Sequence, residues 1–322
     1  MNSIFYGEMM EFLSLREKVL ASQTITMDRC ALLSFDQHLA QRGKSEFLIN
    51  EDDVISWMRP MYGNLARNII AGKVRVLRMF LIYLQNKDIP VYIPRHIKVP
   101  ETYIPYLFSD AEIQRIYAVA DSIPHRRNSK HAIVLPMVLR MLYSCGFRLG
   151  ELLALQVGDI NFEHSFVLLR DTKNKKQRIV PLGDTLTEML SKYCLAMNLM
   201  ECAENYIFPG KDGTKHISQR VLQEWFETLL KDTGIFIRTK NHARGPCLHC
   251  FRHLFAVKSF AQAERAGRST NDSVPYLSVY LGHSSMTETE KYLKFNSDIF
   301  PEHTVLFENF SEGLFPEVSY EE

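Results

Sequence analysis

Hydrophobic residues in the first 87 positions return every three or four residues, the period of a helix packed on one side. Leu32, Phe35 and Leu39 share one face of a segment that Thr24 or Thr26 can cap and Gly43 can end. Asn50, followed by Glu51, Asp52 and Asp53, puts a capping amide and three carboxylates where the positive end of a helix favours them, ahead of Val54, Trp57 and Met58. Leu65, Ile69, Leu77, Phe80, Leu81 and Leu84 then form the stripe of a longer helix whose other positions include Arg67, Lys73, Arg75 and Arg78. That basic face suits either water or a polyanion.

The periodicity stops over residues 88–106, where Pro90, Pro94, Pro100 and Pro105 predict a semi-rigid linker and a domain boundary. Ser109 and Glu112 have the spacing of a capping box and open the next helix, and an apolar segment follows at 132–142. Across residues 157–182 the pattern shortens. Ile160 with Phe162, then 166–169, then 178–180 read as strands of a small antiparallel sheet. Its second turn collects Arg170, Lys173, Lys175, Lys176 and Arg178, which is either a lysine-guarded hairpin edge or a polyanion contact. Helical spacing resumes over 185–199 and over 218–230, where Val221, Leu222, Trp225, Phe226 and Leu229 line one side. The predicted fold is mainly α with a small antiparallel β-sheet, in two domains.

At 322 residues, with 46% hydrophobic and 23% charged positions, the chain has an ordinary globular composition. Glu8 and Glu11 interrupt any leader-like apolar run, and the longest such run ends at Arg140, short of the roughly 20 residues a spanning helix needs. A cytoplasmic protein is expected. The six cysteines are scattered and read as reduced thiols. Cys247 and Cys250 have metal-ligand spacing but no second such pair, so small buried side chains are favoured over zinc. The formal net charge of +1 conceals an asymmetry. Seven of the 37 acids and none of the 38 Lys and Arg residues lie in 295–322, which leaves the first 294 residues at +8. A basic body is compatible with a polyanionic partner.

Candidate chemistry concentrates near the C-terminal end. His249 and Arg252 lie one helical turn apart, His253 follows, then Leu281-Gly282-His283, then Tyr292 nine residues later. Guanidinium and imidazole donors beside a phenol suit a phosphate. Taken singly, each has an ordinary explanation: a core histidine, an i,i+3 ion pair for Arg148 with Glu151, one tyrosine among fourteen. Taken in order, with Arg148 and Lys173 upstream, coincidence is a poor account.

The ordered set resembles that of the tyrosine recombinase (phage integrase) family, and among its members the Xer-type and transposon-type enzymes. The likeness is carried by G-F-R-L-G-E-L at 146–152, T-K-N-K-K-Q-R-I-V-P-L at 172–182, H-C-F-R-H at 249–253 and L-G-H-S-S-M-T-E-T-E-K-Y-L at 281–293, and more loosely by L-R-M-F-L-I-Y-L at 77–84. The resemblance implies a helical core-binding (SAM-like) DNA-binding domain over 1–87, a linker over 88–106, and a mixed α+β catalytic domain over 107–298. It also implies that the acidic tail, 299–322, carries a docking helix, for which Phe307, Phe310 and Leu314 have the spacing.

Residue by residue, Tyr292 matches the nucleophile, Arg148 and Arg252 the pair clamping the scissile phosphate, and His249 and His283 the imidazole positions. Lys173 matches the turn lysine and is the natural general acid, Glu151 braces the first arginine, and His253 neighbours the motif. Arg75, Arg78, Lys175, Lys176 and Arg178 are candidate DNA contacts. The implied reaction passes through a 3′-phosphotyrosyl intermediate without metal, ATP or cofactor. The implied partners are double-stranded DNA with a specific recombination site and a homo-tetramer on that DNA, with or without a partner recombinase, acting through a Holliday junction. A membrane partner is not expected, and the DNA-bound protein would be nucleoid-associated. Two other readings stay open: a catalytically idle DNA-binding regulator and a type IB topoisomerase-like monomer.

Overall fold

In the computed structural model, residues 2–100, 105–126, 129–170, 177–235 and 245–295 are described. They fall into two units, Met1–Tyr103 and Ile104–Glu322. The first is built from α1 (Tyr6–Glu17), α2 (Ser22–Gln41), α3 (Glu51–Met58) and α4 (Arg67–Gln85) around Met9, Leu32, Phe35, Leu39, Trp57, Leu77, Phe80 and Leu84. Asn50 and Asp53 cap α3 reciprocally: the Asn50 amide oxygen accepts from the Asp53 N–H at 2.9 Å, and the Asp53 carboxylate accepts from the Asn50 N–H at 3.0 Å.

Three local expectations shift. Helix α2 begins at Ser22, so the Thr26 hydroxyl donates back to the Ser22 carbonyl within the helix and does not cap it. The buried stripe of α4 runs through Ile70, Val74, Leu77, Phe80, Leu81 and Leu84, which leaves Ile69 46% exposed. Residues 89–97 also do more than link. The Ile49 N–H donates to the Pro90 carbonyl at 3.0 Å, the Tyr92 N–H donates to the Ile49 carbonyl at 2.8 Å, and Ile89 is buried. A proline lacks an N–H but keeps its carbonyl, so a proline-rich stretch can still pair along one edge.

The second unit contains α5 (Asp110–Asp121), α6 (His131–Cys145), α7 (Leu149–Leu153), β1 (Ile160–Asn161), β2 (Phe166–Leu169), β3 (Arg178–Pro181), α8 (Asp184–Ala196) and α9 (Gln219–Asp232). It continues through α10 (His249–Arg265), α11 (Thr270–Leu281), α12 (Met286–Glu290) and a 3-10 turn, Lys291–Phe295. The sheet is antiparallel in the order β1-β2-β3, with Phe166 opposite Pro181 and Leu169 opposite Arg178. The expected capping box opens α5: the Ser109 hydroxyl accepts from the Glu112 N–H at 3.3 Å.

Helix α6 is the spine of this unit. Residues 134–139 are buried consecutively, so it is covered on all sides. Gly146 ends α6 with φ +62, and Gly282 ends α11 with φ +65, a left-handed turn for which an L side chain is strained. Both turns release carbonyls at helix C-termini, where partial negative charge accumulates.

Candidate active site

Those two helix ends receive the two arginines singled out in the sequence. Arg252 is 1% exposed on α10. It donates from Nη1 to the Gly146 carbonyl at 2.8 Å, and from Nη2 to the Leu281 carbonyl at 2.7 Å. Arg148, immediately before α7, donates from Nη2 to the Gly282 carbonyl at 2.8 Å. Burial lowers the Arg252 pKa to about 10, and the like charge of Arg148 acts in the same direction. It is still protonated at neutral pH, a fixed cation held by backbone carbonyls.

Glu151 faces both Arg148 and Arg178. Its Oε1 accepts from Arg148 Nη1 at 2.8 Å and from Arg178 Nη1 at 3.1 Å, while Oε2 accepts from Arg178 Nη2 at 2.6 Å and from the Arg148 N–H at 3.2 Å. Burial alone would raise the carboxyl pKa, but hydrogen bonds and charge from Arg178 and Arg148 hold it below the usual carboxylate range. Arg178, expected as a candidate DNA contact, is engaged by a carboxylate. Its fork lies on Glu151, its side chain is 10% exposed, and a Cβ added to Gly282 would stand 2.6 Å from its Nη1. The cause is the strand register, which sets Arg178 at the start of β3 beside α7 and the end of α11.

Tyr292 is 5% exposed, on the 3-10 turn after α12, packed among Ala256, Phe260, Val274, Leu277 and Leu281. Its ring lies 6.0 Å from the His283 ring and nearly parallel to it, and 5.4 Å from the His253 ring. Burial raises the phenol pKa, opposed by the charge and hydrogen bond of Arg252 and by the charge of Arg148. His249 sits on the exposed side of the first turn of α10, its ring edge-on to His253 at 4.6 Å. His253 thus lies between the His249 and Tyr292 rings.

The remaining imidazoles are held neutral. Burial, with the Arg252 charge and the repulsion a second proton would meet from His249 and His283, takes His253 to about 3. Burial, with Arg252, Arg148 and Arg178, takes His283 to about 4, against the opposing pull of Glu288. His283 Nε2 lies 3.0 Å from Arg252 Nη2, and Nδ1 lies 2.6 Å from the Thr289 hydroxyl. The structure thus brings Arg148, Glu151, Arg252, His253, His283 and Tyr292 together, with His249 at the edge. Arg75 is exposed on α4 and Arg78 half-buried there. Lys173, Lys175, Lys176, Phe307, Phe310 and Leu314 lie outside the described residues. Cys247 and Cys250 place their sulfurs 3.6 Å apart, and among the described residues no group of three or more His, Cys, Asp or Glu side chains is arranged to hold a metal.

The sequence did not point to Arg178 as a partner of Glu151, or to Thr289. The arginine had a weak signal, since Arg178 sits in the R-I-V-P-L run; the threonine had none beyond its place three residues before Tyr292.

Comparison with known proteins gives a consistent result. The model of the phage integrase family matches residues 107–298. The tyrosine recombinase XerC of Chlorobaculum parvum is 27% identical over 300 residues, covering 85% of each chain. The fold is similar to that of the XerH site-specific recombinase bound to a palindromic difH substrate, at a TM-score of 0.68 and 19% identity over 88% of this chain and 80% of that one. It is also similar to lambda integrase in a tetramer bound to a Holliday junction, at 0.65 and 14% over 91% and 77%. The chain belongs to the phage integrase family of tyrosine recombinases.

Proposed function

We propose that this protein is a site-specific DNA recombinase that breaks and rejoins strands through Tyr292. The observation that carries the reading is the placement of the buried phenol beside Arg252 and His283, with Arg148 delivered to the same helix ends. The Tyr292 oxygen attacks the scissile phosphorus, the P–O5′ bond breaks, and the strand is held as a 3′-phosphotyrosyl ester until the 5′-hydroxyl of a second strand reverses the step. The phenol's proton leaves toward a neighbouring imidazole, and the departing 5′-oxygen takes a proton from an acid, the role proposed for Lys173.

Negative charge grows on the nonbridging oxygens during attack, and two guanidinium forks can answer it bidentately. Removal of one preorganised donor of this kind typically costs about 2.7–4 kcal/mol of barrier. The relatives' complexes support two further parts of the reading, DNA as partner and a tetramer working through a Holliday junction; the assignment of residues 1–87 as the DNA-gripping domain is part of the proposal.

A nicked suicide duplex carrying the protein's site tests the proposal. Wild type should form a covalent adduct, and Tyr292→Phe should bind the duplex with no adduct. Tight binding by wild type without any adduct would support the idle regulator instead.

A further inference from the structure

The partners of His283 carry a consequence for how the site handles its proton. Arginine has only donors, so His283 Nε2, 3.0 Å from Arg252 Nη2, must accept. The ring proton is then on Nδ1, and it donates to the Thr289 hydroxyl at 2.6 Å. Thr289 is fully buried, on α12, three residues before Tyr292. One hydroxyl thus joins the imidazole to the short helix that leads into the turn carrying the phenol.

We infer that Thr289 is a positioning residue for His283, whose hydroxyl lets the ring change tautomer without losing its buried partner. The inference rests on the reading of His283 as a phosphate-facing group. When a phosphate oxygen takes up the Arg252 Nη2 hydrogen that pointed at the ring, Nε2 loses its donor. To serve the phosphate, Nε2 must then carry the proton and donate it, which leaves Nδ1 an acceptor. A hydroxyl rotates to suit either case: it accepts from Nδ1–H in the free enzyme and donates to Nδ1 in the DNA complex. The ring is neutral before and after: Nε2 takes a proton from solvent, Nδ1 releases one to solvent, and no bond to carbon changes. A valine of the same shape can do neither, and it would strand a polar nitrogen inside the protein.

The groups facing His283 leave this hydroxyl as its adjustable partner. Arg252, Arg148 and Arg178 disfavour an imidazolium, and Glu288 only partly offsets them, so the ring works in its neutral form. A neutral imidazole has one donor and one acceptor, and which nitrogen donates is decided by the partners.

The test uses the full-length protein, the nicked suicide duplex and two substitutions, Thr289→Val and Thr289→Ser, with single-turnover adduct formation followed across pH. Thr289→Val is expected to slow adduct formation by roughly 10–100-fold, the loss typical when an imidazole at a metal site loses its orienting partner. It is also expected to alter the pH profile while leaving duplex binding unchanged, and Thr289→Ser should restore both rate and profile. If Thr289→Val keeps the wild-type rate and profile, or if Ser fails as badly as Val, packing and not the hydroxyl is what matters and the inference falls. If wild type itself gives no Tyr292-dependent adduct, the recombinase reading fails first and takes this inference with it.

Discussion

Replacing Glu151 by alanine is the sharpest structural perturbation available at this site. Four N–H groups from Arg148 and Arg178 converge on a carboxylate whose side chain is 6% exposed. Breaking a buried ion pair by deleting one partner typically costs about 3–5 kcal/mol, because the surviving charge stays desolvated. Here the survivors keep some access to water, 21% for the Arg148 side chain and 10% for Arg178, which points to the lower end, about 3 kcal/mol. In a unit of this size each kcal/mol moves the melting temperature by about 2–4 °C, so Glu151→Ala should melt roughly 6–12 °C below wild type.

Circular dichroism melts measure this directly, and the double variant Glu151→Ala with Arg178→Ala should recover part of the loss, since one stranded cation is removed. The pH dependence gives an independent arm. The Glu151 carboxyl titrates lower in the fold than its unfolded value of about 4.3, so its stabilisation is present above that value and is lost as pH falls through the depressed one. The gap between wild type and Glu151→Gln should therefore close below about pH 4. A Glu151→Ala protein that melts with wild type would refute this account of the arginine pair.

Other outcomes follow from single features. Gly282→Ala meets both a left-handed φ of +65 and the Arg178 guanidinium 2.6 Å from the new Cβ, so it should lose more than the roughly 1–2 kcal/mol of the backbone strain alone. Urea titration checks this, and wild-type stability would contradict it. His283 and His253 titrate near 4 and 3 in the fold against about 6.5 unfolded, so the native state stays neutral while the unfolded chain takes up protons. Stability should fall as pH drops from about 6.5 toward 4, and His283→Gln should flatten that slope in urea midpoints measured across pH.

The sequence by itself determined the elements and the cast. Helical spacing, the Asn50 and Ser109 caps and the short alternating runs fix helices and a three-stranded sheet because these signals are local, each within one or two turns of chain. It also nominated Arg148, His249, Arg252, His283 and Tyr292, since their order along the chain is itself information. Where the local signal was shared by neighbours it misled by a residue, as between Ile69 and Ile70, or misjudged what a proline-rich stretch packs on.

Only the tertiary structure decided who faces whom. Arg178 is 27 positions from Glu151, and the Gly146 carbonyl 106 positions from Arg252, so no spacing rule links them. Along the chain Arg178 is one member of a basic cluster; in the fold, with β3 beside α7, it is a counter-ion of Glu151. Burial supplies the rest. Where the chain closes over Tyr292 and Thr289, water no longer competes for their hydrogen bonds, and the half-buried His283 beside them shares its proton among the partners that the fold has placed there.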